Sequence, residues 1–560
     1  QLWALLNPLD KTFRLKNGSN LRIGSGTGNI LTGAIELESG NANINAVSGT
    51  QVILSGSLTG AGGFTKPETG TVILAGANNF AGNITNLAGG IIMFSNSLAA
   101  GANKLVWNNS TTGGSGSTGT RITLAGNSVI PASVSVSFNG ETNGDIRSTF
   151  FSQAGSNVWE GPVQLRGSGI INATVDSPNN FTISGPVSGI AGFTGTFFVR
   201  GSGGGEISGA INLGGGILAK TDGGTWTISS SGNTWGQTTI AVGTIRLGAH
   251  DALCPTAALL MGQGDAQAAA LDLNGFNQTV VEIRPVLGTG ARRIGNDSTT
   301  ADSVFTYAGG TNVNTFAGQF FDNLTTNGTR KLGLTVASGT LYLTGSSSNT
   351  GPTLVSGGIL GGTGSLVSPL TVGPLGTLAP GLSIGTFTVN APVTLQGTNV
   401  MEVSKAGSTI TTDRLGGVTI LTYGGVLRLV LSGDPLAAGD TLKLYDAAAY
   451  AGDFAEIVPA APGTGLFWDT STLAVDGTLR VRGLAAPAVA SVTPLPDGNI
   501  GLTITGLVGQ AYSVRASTDV GLPVGSWTLL QSGSLPASPF VFNDLTATNF
   551  PRRFYILSTP

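Results

Sequence analysis

Short apolar runs recur along the whole chain. They include TQVILSGSL at 50–58, TVILAG at 71–76, ASVSVSF at 132–138, GTIRLG at 243–248, LGLTVASGTLYLTG at 332–345 and GVLRLVLSG at 425–433. Most alternate with small or polar residues, and a period of two predicts strands. Gly, Asn, Ser and Pro bound each run, which predicts tight turns between the strands. No long segment combines a 3.6-residue period with a cap at each end, so helices are not expected.

The pattern also repeats at a larger scale. Residues 70–90 read GTVILAGANNFAGNITNLAGG, 224–243 read GTWTISSSGNTWGQTTIAVG, and 339–358 read GTLYLTGSSSNTGPTLVSGG. Each opens on Gly-Thr and an alternating run. Each then carries Gly twelve residues on (Gly82, Gly236, Gly351) and nineteen on (Gly89, Gly243, Gly358). In the first copy Val72, Leu74, Ile84, Ile92 and Phe94 are the apolar positions. A unit of roughly 20 residues is about one coil of a β-solenoid, with the recurring glycines at its corners. A series of unrelated Gly-rich turns in stacked β-sandwiches is the other reading of the same pattern. About 400 residues at roughly 20–25 per coil would give some 16–20 coils, a rod of roughly 80–95 Å.

Composition narrows the class. Gly is 89 of 560 residues and charged residues are only 10%, against roughly 7% and 25% in average proteins. The net charge of −3, together with plentiful Val, Ile and Leu, excludes disorder. There is no three-residue period, which excludes collagen. One Cys rules out an internal disulfide and one His rules out a His-rich metal site. Basic residues never run beyond a pair, so nucleic acid is not an expected partner. No apolar run reaches the roughly 18 residues of a membrane helix. The opening QLWALLNPLDK lacks the basic start and long apolar core of a signal peptide.

The stretch GTVILAGANNFAGNITNLAGGIIMF resembles the autotransporter-associated β-strand repeat of bacterial surface proteins: a Gly-Thr strand, an Asn-aromatic-x-Gly corner and a Gly-Gly strand. The second copy supplies Asn233, Thr234, Trp235 and Gly236 at the corner; the third, SSSNTGPT, lacks the aromatic. Segments 123–138, 155–173, 271–283 and 361–381 look like connecting pieces of the same family. The resemblance spans roughly 19–400 and implies a right-handed parallel β-helix exported by a bacterium, hence a secreted or cell-surface protein. Residues 398–482 look like the closing segment of such passengers. No pore-forming barrel follows in this sequence, where self-exporting members have one, and another secretion route is expected. After the Pro/Ala-rich GLAAPAVASVTPLP, residues 484–560 resemble the fibronectin-III-like modules of secreted bacterial proteins. There Tyr512, Val514 and Ala516 alternate, as do Trp527 and Leu529, and Phe540 and Phe542.

The expected organisation is all-β. Residues 1–18 form an N-terminal assembly strand or cap and 19–397 a parallel β-helix (β-solenoid). Residues 398–483 form its terminal region and 484–560 a small C-terminal β-sandwich. Chemistry is sparse. Asp297 and Asp302 near Arg292 and Arg293 are the best local candidate for lyase chemistry, but the reading taken is a polar loop leaving the solenoid. His250 and Cys254 suggest a nucleophile pair, but the reading taken is an exposed His and a buried Cys in a connecting segment. The glycine-rich RGSGGGEISG at 200–209 lacks the Lys-Ser/Thr of a phosphate loop and reads as a flexible corner. Asn83, Asn172 and Asn323 head glycosylation sequons, as composition alone would produce. No catalytic, cofactor-binding or metal residue is assigned. The expected protein is non-enzymatic, structural and extracellular, associating with itself head to tail into filaments through the apolar QLWALLNPL, with Trp3. A cell-surface or extracellular polysaccharide is a second candidate partner. The alternative is a carbohydrate-active or carbohydrate-binding β-helix, lyase-like, hydrolase-like or adhesin.

Overall fold

A computed structural model describes residues 2–3, 5, 7–87, 89–109, 120–139, 150–166, 169–173, 180–262, 266–285 and 289–559. The chain divides into two compact units. Gln1–Glu402, Thr412–Val430 and Leu444–Ile457 make the first; Val403–Thr411, Leu431–Lys443 and Val458–Pro560 make the second.

The first unit is a parallel β-helix. Each strand pairs in parallel with the equivalent strand one coil later, so side chains of one kind stack. Val52 faces Val72, then Ile92, Ile122 and Phe150 in turn. All five are at most 1% exposed. Burying such a side chain contributes about 1.5–3 kcal/mol, and the ladder spreads that gain along the axis rather than at one centre. Among the described residues three parallel sheets carry most of the stack. Nine strands run from Asn20–Ile23 to Ile211–Asn212, twelve from Asn29–Leu31 to Glu282–Pro285, and nine from Val129–Ile130 to Gln319–Phe320. Coil length varies: twenty residues separate Val72 from Ile92 and thirty separate Ile92 from Ile122. An aromatic spine fills the interior through this uneven stretch. Phe150 meets Trp159 and Phe181 edge-on at 5.0 and 4.9 Å, and Phe181 meets Trp226 at 6.4 Å.

The two recurring glycines have two different reasons. At the twelfth position the backbone of the preceding coil passes too close for a side chain. A Cβ on Gly236 would lie 2.9 Å from the Gly215 carbonyl oxygen, and one on Gly82 or Gly351 would overlap the neighbouring backbone outright. At the nineteenth, Gly89 and Gly243 have φ of 75° and 79°, the left-handed region that favours glycine. Gly358 has no such φ; a Cβ there would lie 2.7 Å from the Val336 side chain.

A few residues before the first of these glycines stands a buried asparagine. Asn78 accepts the Leu58 N–H at 2.8 Å from the coil before and donates to the Ala99 carbonyl at 2.6 Å in the coil after. Asn233 does the same with Ile211 N–H and the Ala252 carbonyl, both at 2.8 Å. Asn349, in the third copy, donates to the Leu332 carbonyl at 2.9 Å. A corner breaks the backbone ladder, and the amides of Asn78 and Asn233 replace the lost donor and acceptor together, that of Asn349 the donor.

A further repeated residue escaped sequence reading. Lys66 and Lys220 each stand four residues before a Gly-Thr opening, with an acid, Glu68 or Asp222, two residues on. Both lysines are fully buried. The Lys220 ammonium donates to the carbonyls of Thr221 and Asp222 at 2.7 and 2.5 Å, and Lys66 donates to the Glu68 carbonyl. They therefore cap corner carbonyls from inside.

Two expectations are corrected. The stretch 200–209 is not a flexible corner: Gly204–Ile207 is a strand in register with Thr225–Ile228. Gly205 leaves room for the coils on both sides, since a Cβ there would overlap the Phe181 carbonyl oxygen and lie 2.8 Å from the Trp226 ring. The N-terminal segment is not a free strand either. Leu2 bridges Ile23, Leu9 bridges Leu31, and Phe13–Leu15 pairs with Ile35–Leu37, all parallel, as a first coil. Trp3 stays 69% exposed.

The second unit is antiparallel. Thr441–Lys443, Thr478–Gly483 and Leu466–Asp469 form one sheet. Ala488–Pro494, Ile500–Thr505 and Phe540–Asp544 form a second, and Thr528–Ser534, Ala511–Ser517 and Phe554–Ser558 a third. The last two share one core of Leu502, Ile504, Tyr512, Val514, Leu535 and Phe542. Trp527 and Leu529 do not share a face as the alternation predicts. Trp527 precedes the strand, closes the short turn Val524–Ser526 and is buried, whereas Leu529 is half exposed.

Desolvation lowers both buried lysines from the ordinary 10.5 to about 7, partly offset by Glu68 or Asp222. Between pH 7 and 10.5 the unfolded chain therefore holds protons that the folded chain does not. Stability should rise with pH across that window, by at most about 1.4 kcal/mol per pH unit for each lysine. Denaturant midpoints at pH 7, 8.5 and 10 should show this rise, and Lys66→Met and Lys220→Met should each flatten it.

Candidate functional site

Four successive strands of the β-helix set out a column of outward side chains. Thr225 pairs in register with Thr244, Thr244 with Ala270, and Ala270 with Arg293. The three small residues floor a groove of about 450 Å³ crossing the coils. Arg246 and Asp297 stand along one wall, Gln267 along the other, and Arg293 closes the column.

The wall is held by buried carboxylates. Asp272 has no exposed side-chain surface, and its Oδ2 accepts Arg246 Nε at 2.6 Å. Its Oδ1 accepts the N–H groups of Asn274 and Asp297, both at 2.9 Å. Asp297 is 5% exposed; its Oδ1 accepts the Leu324 and Thr325 N–H groups at 2.7 and 2.9 Å. Its Oδ2 lies 3.9 Å from Arg246. Every donor here comes from the chain, so both acids serve as braces that pin the loop of Leu324 and Thr325 over the groove's edge. Arg293 differs: it is exposed and rests over the Phe321 ring at 5.6 Å.

Of the four residues singled out between 292 and 302, the fold brings only Arg293 and Asp297 to this groove. Arg292 turns back and donates to the Met261 carbonyl at 3.0 Å. Asp302 accepts the Lys331 N–H at 2.9 Å in an exposed loop. Arg246 and Asp272 were missed because their partnership depends on strand register across 26 residues; Arg246 and Asp272 are direct coil neighbours.

His250 and Cys254 do not form a pair. The exposed imidazole packs edge-on against Phe276 at 5.4 Å and accepts the Asn277 N–H through Nδ1 at 3.0 Å. Cys254 is buried, its thiol 3.3 Å from the Thr256 hydroxyl. Asn83 and Asn323 are exposed; the Asn172 side chain lies outside the described residues. Among the described residues no group of three or more His, Cys, Asp or Glu is placed to hold a metal ion. None of their helices is long and apolar enough to cross a membrane.

No family model matches the chain. In an alignment 385 positions long that covers 58% of the chain, it is 28% identical to the adhesin BmaC autotransporter of Brucella suis biovar 1 (strain 1330). The aligned stretch spans 10% of that relative's length.

Two outcomes follow from this geometry. Arg246→Ala leaves Asp272 charged and buried without its cation. It should destabilise the protein by about 2–3 kcal/mol in urea unfolding, somewhat below the cost for a fully buried pair because Arg246 is partly exposed. Cys254 should resist an aromatic disulfide reagent in the native protein and react fully in denaturant, a difference read directly from released thiolate.

Proposed function

We propose that this chain is a non-enzymatic part of an extracellular bacterial surface protein that acts in adhesion. The observation that carries the reading is the likeness to an adhesin autotransporter over more than half of the chain, on a parallel β-helix whose polar groups mostly serve the stack. Residues 19–397 act as the repeat-built β-helix, 398–483 end it, and 484–560 are a module of fibronectin-III-like type. Support against an enzymatic role comes from the acids that sequence and structure offer. Both oxygens of Asp272 and Oδ1 of Asp297 accept hydrogen bonds from the chain, Asp297 is only 5% exposed, and His250 and Cys254 have separate partners. Glycoside cleavage needs two carboxyl groups free to act across a substrate bond.

Head-to-tail self-association is the finer form of this reading. The strand expected to serve it is instead paired with the following coil, through Leu2, Leu9 and Phe13–Leu15. Microspheres coated with the protein should attach to a monolayer of animal cells several-fold above albumin-coated controls. Attachment no better than albumin across epithelial and matrix-coated surfaces overturns the adhesive role. Sedimentation of the same protein over a concentration series reports self-association independently.

A further inference from the structure

The groove over Thr225 and Thr244 has a composition that selects a ligand. Its volume of about 450 Å³ falls in the roughly 300–1,000 Å³ range of small-molecule sites. Its floor is a column of small side chains, spaced one coil apart at about 4.8 Å, so a flat ring can lie close to the sheet. Hydroxyl groups of Thr225 and Thr244 and the amide of Gln267 line it. These groups both donate and accept, which suits a partner rich in hydroxyls.

The charges are not equivalent. Arg246 is neutralised by Asp272 at 2.6 Å and further by Asp297 at 3.9 Å. Asp297 is itself nearly covered. Arg293 is the exposed cation at the end of the column, and among the described residues no hydrogen bond or ion pair engages its guanidinium. The Phe321 ring lies beneath it, 5.6 Å from the guanidinium carbon. A guanidinium presents a fork of N–H donors that matches a carboxylate with two parallel bonds.

We propose that this groove binds a carboxylated saccharide, with the acid group on Arg293 and the sugar hydroxyls over Thr225, Thr244 and Gln267. The proposal rests on the adhesive reading and names its ligand class. Uronates and sialates share the chemistry, and the two arms of the experiment separate them. Binding of trigalacturonate and of 3′-sialyllactose is measured by calorimetry, each against its neutral counterpart, α-1,4-galactotriose or lactose. A poly-glutamate peptide tests whether any carboxylate suffices.

At least one acidic sugar should bind, and its neutral counterpart should bind roughly tenfold or more weakly. Arg293→Gln should lose a similar factor and Arg293→Lys should recover part of it. Arg14→Gln, the same charge change on an exposed arginine elsewhere, should change nothing. Equal binding of neutral and acidic sugars, equal binding by Arg293→Gln, equal loss in Arg14→Gln, or preference for the peptide each overturns the proposal. So does absence of binding in both sugar arms. Microspheres carrying Arg293→Gln separate the two readings: undiminished attachment with them leaves adhesion standing and removes this groove from it, whereas failure of the parent protein to attach removes adhesion itself.

Discussion

Everything in the first unit depends on one constraint: backbone hydrogen bonds join each coil to the next in parallel register. Once Val72 faces Ile92, every inward position of one coil must be compatible with the same position of its neighbours. Apolar residues satisfy this by stacking. Polar residues such as Asn78, Asn233 and Lys220 satisfy it by closing their own bonds inside the stack. The shortage of charged residues in the sequence is the compositional face of this rule. A β-helix of this kind spends most of its chain on strand and corner, and neither tolerates an unpaired charge.

The parts legible in the sequence were those with a short-range signature. Alternating apolar runs gave the strands, and two fixed glycine offsets gave the repeating coil. The reasons for the glycines were not legible. The close approach at Gly82 and the left-handed backbone at Gly89 look alike in one dimension. Gly205 misled for the same reason: a glycine that makes room for a tryptophan 21 residues later, Trp226, reads as a turn. Lys66 and Lys220 were overlooked because lysine is ordinarily a surface residue. Only their shared position before Gly-Thr, with an acid two residues on, could have marked them.

The groove shows where local reading stops. Arg293 and Asp297 are close in sequence, and their closeness drew attention to the right place. Yet the floor comes from Thr225 and Thr244 and the wall from Arg246, each on a different coil. Register brings them together, and register follows from coil lengths that no local motif states. Asp302 and Arg292, equally close in sequence, were carried elsewhere by one residue of strand phase or one loop.

The unequal coils have a mechanical meaning. Bonds that join coil to coil point along the stacking direction, so tension applied in that direction loads one inter-coil seam at a time, like a zipper rather than a rivet. Each seam that opens pays out the slack of one coil. From Val72 to Ile92 that is twenty residues, about 70 Å of extended chain; from Ile92 to Ile122 it is thirty, about 100 Å. A stretched molecule would lengthen in uneven steps, shedding load at each, while the rest of the stack kept its form.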